Sequence, residues 1–260
     1  MTDISVKPEF SWIARLGYTA RGVIYLIIGG LALLAMSGNG GKTTGSKGAL
    51  SSLRNEPFGD TIIIALIAGL LCYSVWRTIQ SIKDSDNHGT GFKALAIRGG
   101  LLISAITHLS LAYWATTLII GDSSSSSNST SDSLLSHTMG QILFSVVGIC
   151  VFGAGIAHFI KGWKAGFEKH MAIPMSHRYW AKPVCQFGLI SRGLVYCIIG
   201  SFIFFSAWYL TSKDIESIGA ALEWLRVQPF GSWLLGFTAV GLFAFGIYSI
   251  LEACFRRIQK

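Results

Sequence analysis

Three arginines stand where a charge is costly. Arg21, Arg98 and Arg192 each close a short phrase that leads into a long apolar run: GYTARG at Gly17 to Gly22, ALAIRG at Ala94 to Gly99 and GLISRG at Gly188 to Gly193. A charge in such a run needs a partner. From one to two turns inside a helix end, an Arg can snorkel to lipid phosphates. It can also turn inward to the C-terminal carbonyls of neighbouring helices, which carry the negative dipole pole. Two chemistries follow. Each Arg ties the foot of one helix to the end of another, or the three form a basic ring that holds an anion, a phosphate headgroup or an acidic solute. The guanidinium fork suits phosphate and carboxylate alike.

A second group gathers at the same end of the runs. Glu252 is the one acidic residue embedded in an apolar run, and its copies in related segments are Gln80 and Lys161. This predicts a polar cluster in which Glu252 pairs with Lys161 or an Arg, since an unpaired buried carboxylate would take up a proton. Arg77 aligns with His158 and Ser249. It extends the layer by a turn, as part of the cluster or as an interfacial residue reaching water. The candidate ligand or lipid-binding residues are therefore Arg21, Arg98, Arg192, Arg77, Lys161 and Glu252.

Catalytic and cofactor patterns are weaker. His108 and His158 differ in depth and have no evident carboxylate behind them, so neither haem nor metal is expected. The loop from Gly38 to Thr43 imitates a phosphate-binding loop, but Met36 stands where that pattern needs Gly or Ala, and the loop follows an apolar helix instead of a strand. No nucleophile, base and orienting group line up. The expectation is a non-enzyme without a cofactor.

The elements that hold these residues are six apolar runs: roughly Trp12 to Met36, Phe58 to Gln80, Ala94 to Ile120, Met139 to Ile160, Val184 to Leu210 and Gly231 to Leu251. Each meets the length of about 20 residues needed to cross a bilayer. The chain has 51% hydrophobic and 13% charged residues and a mean hydropathy of +0.53, against about 25% charged in soluble domains. The five cysteines lie in or beside these runs and offer no disulfide framework. The eight tryptophans lie near run ends, as an interfacial belt would place them.

The net charge of +8 reflects topology and does not call for nucleic acid. Of 21 Lys and Arg, 16 fall on the side of the termini and only 5 in the alternate loops. The positive-inside rule then puts both termini in the cytoplasm, and the expected location is a bacterial inner membrane.

Six runs resolve into three pairs. GYTARGVIYLIIG from Gly17 returns as GLISRGLVYCIIG from Gly188, and LRNEPFG from Leu53 returns as LRVQPFG from Leu225. Pro57 and Pro229 are expected in the first turn of the even helices. The middle copy departs most, and its hairpin loop, 122–133, is a polar tract with no assigned role. Small residues recur at Gly69, Cys150 and Gly241, and at Cys72, Gly153 and Ala244, which predicts close helix contact there. The fold class is all-α: a polytopic membrane bundle of three tandem parallel hairpins with pseudo-threefold symmetry. The repeats span 1–85, 86–170 and 171–260.

The phrases Ala14-Arg15-Leu16-Gly17-Tyr18, Ala20-Arg21-Gly22, Pro57-Phe58-Gly59 and Trp76-Arg77, with Ser191-Arg192-Gly193 and Pro229-Phe230-Gly231, resemble the bacterial domain-of-unknown-function 1206 family. The resemblance implies three tandem two-helix membrane repeats and no established activity. The functional expectation is a membrane scaffold or interaction protein whose cytoplasmic-side Arg layer engages anionic lipid or a protein partner. The alternative is a small transporter or channel with its path along the pseudo-threefold axis.

Overall fold

The structure is a computed structural model and describes residues 11–37, 43–121, 138–209, 222–223, 226–227 and 229–257. The Ser-rich loop 122–133 and the phosphate-loop mimic at 38–42 lie outside the described residues, as does Trp224. Seven α-helices are described, α1 (Ser11–Met36), α2 (Ser46–Arg54), α3 (Gly59–Lys83), α4 (Phe92–Ile120), α5 (Thr138–Trp163), α6 (Met175–Tyr209) and α7 (Gly231–Phe255), with a short 3-10 helix at Gly166–His170 between α5 and α6. All but α2 are long and apolar enough to cross a membrane. The short α2 was not anticipated from sequence. Its Ala49 and Leu50 are buried at the end of the bundle opposite the termini.

Pro57 stands just outside its helix. The N-cap of α3 is Phe58 and that of α7 is Phe230, both left-handed at φ 61°. Such a φ is an outlier for a bulky side chain, so its recurrence in two copies marks a turn built the same way twice. Gly59 follows because a Cβ there would fall 2.2 Å from the Leu53 carbonyl oxygen of α2.

The six spanning helices pack in the order α4, α3, α1, α7, α6, α5, and two kinds of seam join them. Between repeats, α1 packs on α7, α4 on α3 and α6 on α5. Glycines set the distance in the α1–α7 and α5–α6 seams. A Cβ on Gly29 would lie 2.6 Å from the Phe243 nitrogen, and one on the equivalent Gly200 2.5 Å from the Phe152 nitrogen. Small residues let membrane helices approach this closely, so that dispersion and close packing hold them where no hydrophobic force does.

Within repeats, α1 packs on α3 and α6 on α7. A Cβ on Gly69 would fall 2.4 Å from that of Ala20, and one on Gly241 1.9 Å from the Ser191 Oγ. The middle repeat has no such seam: α4 and α5 do not form a packed pair among the described residues. Cys150 is exposed and Gly153 has nothing within 4 Å, contrary to the close contact expected for both. Only 11% of the spanning part of α4 and of α5 is buried, against 67% for α7.

The tryptophans expected in an interfacial belt do not all face outward. Trp12, Trp163, Trp208 and Trp233 are exposed, but Trp76 is buried and its indole N–H donates to the Tyr18 hydroxyl at 3.2 Å.

Candidate functional site

Arg21 enters the core of the bundle from α1, four residues before Tyr25 on the same face, and three helices supply its partners. Its Nη2 meets Glu252 Oε2 at 2.5 Å, Nη1 donates to the Tyr73 hydroxyl at 2.6 Å and Nε to Ser249 Oγ at 3.1 Å. The rings of Tyr18, Tyr73 and Phe245 pack against the guanidinium at 5.1 to 5.2 Å. Every face of the cation is satisfied.

This contact is one link in a closed circuit. Glu252 also accepts from Arg256 Nη1 at 2.7 Å, and Arg256 Nη2 reaches Asp86 at 3.0 Å. Gln80 donates to Asp86 at 2.9 Å, Arg77 donates to Gln80 at 3.0 Å, and Arg77 Nε returns to the Tyr73 hydroxyl at 2.8 Å. Glu252 therefore pairs with Arg21 and Arg256. Lys161 is not its hydrogen-bond partner and instead donates to the Tyr248 hydroxyl at 3.3 Å.

Arg192 occupies the same place in the third repeat with a different outcome. It is 6% exposed, and its guanidinium lies 4.3 Å from the Phe245 ring centre and within 5.0 Å of those of Tyr25 and Tyr196. Its Nη2 donates to the Tyr196 hydroxyl, while Nε is buried without a partner among the described residues. The repeat register explains the deficit. Where Arg21 meets Glu252, Ser249 and Tyr73, the equivalent positions around Arg192 are Lys161, His158 and Phe245. Two of the three acceptors become a cation and a hydrocarbon ring.

Arg98 does not join the other two. Its Nε donates to the Ser81 carbonyl at 2.6 Å and its Nη2 to that of Ile82 at 3.0 Å, at the end of α3. Arg15 makes the same contacts with the end of α7, donating to the Ala253 and Cys254 carbonyls, both at 2.7 Å. Gln186 repeats them on Gly162 and Trp163 at the end of α5, at 3.1 and 3.2 Å. Arg98 is thus the counterpart of Arg15, and the position matching Arg21 holds Ser104. The Arg-Gly phrase at Arg98 copies the letters of the motif six residues before its structural place. The helix-foot tie belongs to Arg15, Arg98 and Gln186, whose donors satisfy orphan carbonyls at a helix C-terminus.

Two histidines flank the centre. His108 of α4 lies 4.5 Å from the Tyr73 ring and His158 of α5 5.5 Å from that of Tyr196. Each ring Nδ1 contacts the carbonyl four residues back, at 2.7 and 2.8 Å. A carbonyl only accepts, so Nδ1 carries the proton in both. No three His, Cys, Asp or Glu side chains converge among the described residues.

Outside the spanning segments, three groups are shifted. Burial works against the Arg256 guanidinium, but Tyr18, Glu252 and Asp86 around it hold it above its ordinary value. Burial pushes the Asp86 carboxyl up, but Arg256, His170 and Arg77 outweigh it and hold the group below the usual carboxylate range. Burial lowers His170, and Arg256 and Lys161 lower it further against the pull of Asp86.

The three segments 16–84, 99–165 and 187–256 match the family described as Domain of Unknown Function (DUF1206). The chain belongs to the DUF1206 family. The starts of the three DUF1206 segments set Arg98 against Arg15 and Ser104 against Arg21 and Arg192, the same register the helix contacts give. A protein of Bacillus subtilis (strain 168) described as Uncharacterized protein YxxB is 29% identical over 257 residues, covering 97% of this chain and 93% of that relative. No solved structure matches.

Several site residues were absent from the candidates read from sequence: Tyr18, Tyr25, Tyr73, Tyr196, Asp86 and Arg256. The spacing of Arg21 to Tyr25 and of Arg192 to Tyr196 was visible, since residues four apart share a helix face. Tyr73 and Asp86 carried no such sign, because they meet the cluster only through the packing of separate helices.

Proposed function

We propose that this DUF1206 protein is a non-enzymatic membrane scaffold of the bacterial inner membrane, with both termini cytoplasmic, whose basic end engages anionic lipid or a protein partner. One observation carries the reading. Five cations, Arg21, Arg77, Lys161, Arg192 and Arg256, gather at that end around two carboxylates, Glu252 and Asp86. A charge within a membrane span costs about 2.5–3.5 kcal/mol on insertion scales, so an excess of one sign favours a counter-charge from outside the chain. Phosphate-bearing lipids line that side of the membrane, and the other 11 of the 16 basic residues on the side of the termini extend the same attraction outward.

The aromatic packing around Arg21 supports a plugged centre over a conducting one. The test is reconstitution into liposomes and nanodiscs. Rising phosphatidylglycerol content is expected to raise the melting temperature, with solute flux at background. Flux that falls in Arg21→Gln and Glu252→Gln variants would replace this reading with the transporter along the pseudo-threefold axis.

A further inference from the structure

The open hairpin and the under-satisfied arginine belong to one arrangement. In repeats one and three the hairpin closes on the pairs Ala20 with Gly69 and Ser191 with Gly241, at distances where one added Cβ would collide. The middle repeat carries Ile103 and Cys150 at these positions, and Ile103 is 57% exposed. A branched side chain facing a cysteine cannot fit a gap that holds Ala against Gly. Gly100, the counterpart of Gly17 and Gly188, accordingly has nothing within 4 Å, whereas a Cβ at Gly17 or Gly188 would fall 2.5 Å from the facing backbone. The sequence itself keeps α4 and α5 apart.

The helices on either side of this seam each carry a histidine beside the tyrosines that partner the two arginines. His108 on α4 packs on Tyr73, a partner of Arg21, and His158 on α5 packs on Tyr196, the partner of Arg192. Lys161 lies one turn beyond His158, in the last turn of α5. Arg192 lies deeper, six residues or about 9 Å along α6 from Gln186, which caps that end of α5. A buried Nε without an acceptor, a lysine where the first repeat's partner helix has a carboxylate, and exposed apolar faces on α4 and α5 complement one kind of molecule.

We propose that an anionic phospholipid occupies the α4–α5 seam, with its phosphate on Arg192 and Lys161 and an acyl chain between the two helices. The proposal rests on the reading of the basic end as lipid-engaging and assigns that role to a single site. Arg21 is excluded from the site because Glu252, Ser249 and Tyr73 already saturate it. The phosphate oxygens supply the acceptors that the equivalent protein positions lack, and the chain fills the space that Ile103 and Cys150 prevent the hairpin from closing.

The test uses the full chain in phosphatidylcholine nanodiscs titrated with phosphatidylglycerol, read by native mass spectrometry of retained lipid and by melting temperature. One tightly retained phosphatidylglycerol per chain is expected. Its apparent affinity is expected to fall about tenfold or more in Arg192→Gln and in Lys161→Gln, the effect of losing one charge-assisted hydrogen bond. It should stay unchanged in Arg178→Gln, whose exposed side chain pairs with Glu168. The double variant Ile103→Ala with Cys150→Gly, which keeps Arg192 and lets the hairpin close, should also lose the lipid. If Arg192→Gln does not fold, Lys161→Gln and the seam variant carry the same test. Retention of phosphatidylglycerol in those variants overturns the site and leaves the general lipid reading standing. Absence of any phosphatidylglycerol effect in the parent overturns both. Equal protection by inorganic phosphate in pure phosphatidylcholine overturns the lipid as occupant.

Discussion

Arg21 and Arg192 sit at equivalent positions in two copies of one hairpin and end in opposite electrostatic conditions. The first has a carboxylate at 2.5 Å, two hydroxyls and three aromatic rings. The second has three rings, one hydroxyl and an Nε with no acceptor among the described residues. The difference lies in the preceding repeat, whose even helix gives Glu252 to one arginine and Lys161 to the other. Triplication supplied three identical frames, and substitution at a few facing positions made one a structural core and left another short of counter-charge.

The comparison can be broken most forcefully at Glu252. Removing it leaves Arg21 without a carboxylate and Arg256 with Asp86 alone, and Glu252→Gln is expected to cost about 3 kcal/mol or more, as breaking a buried pair does. Arg192→Gln removes a cation with no carboxylate partner and should leave stability in neutral lipid unchanged or raised. Equal losses in a denaturation series of the two variants would deny the asymmetry.

The closed and open hairpins give the next contrast. Gly17→Leu or Gly188→Leu forces side-chain atoms into backbone 2.5 Å away and should cost about 1–3 kcal/mol or prevent assembly. Gly100→Leu, with open space around it, should change stability by less than about 0.5 kcal/mol. Similar shifts in melting temperature at all three sites would mean that the middle hairpin closes as the others do.

A smaller effect is expected at the helix feet. Arg15→Ala and Arg98→Ala each remove two donors from a helix C-terminus and should cost about 1–2 kcal/mol. Gln186→Arg, which installs the charge the third copy lacks, should gain a few tenths to about 1 kcal/mol. Loss of lipid binding in Arg98→Ala with unchanged stability would return Arg98 to the anion site.

The smallest contrast is with pH. The folded pKa values of Asp86 and His170 lie below their unfolded ones. Each therefore adds stability that is complete above the unfolded pKa, about 3.9 and 6.5 respectively. That stability is lost as the pH falls toward the folded value. The melting temperature should decline below about pH 6.5, and His170→Gln should flatten the first part of the decline. A decline that persists unchanged in His170→Gln would assign it to another group.

The sequence made the repeat architecture legible because apolar length, charge asymmetry and the two long matching phrases are all local signals. Six spanning helices and the triplication follow from them directly. The register of the middle copy was lost for a physical reason: one Arg-Gly dipeptide resembles another, whereas the true match is carried by spacing. Arg15-Leu16-Gly17 and Arg98-Gly99-Gly100 share an Arg two residues before a glycine, and that pattern was available. The polar layer was foreseen through Glu252 and its copies, but its partners were not, because Arg256 and Asp86 reach it from loops and helix ends whose placement depends on tertiary packing. That α4 and α5 stand apart is legible only afterwards, in the change from Ala20 and Gly69 to Ile103 and Cys150.

The central claim is that Arg192 lacks the counter-charge Arg21 possesses because Lys161 stands where the other copy has Glu252. It is tested most directly by the melting temperatures of Lys161→Glu and Lys161→Gln in neutral-lipid nanodiscs. The account predicts that Lys161→Glu is the more stable of the two, because it restores to Arg192 the carboxylate that Arg21 has. A Lys161→Glu variant that melts below Lys161→Gln would contradict it.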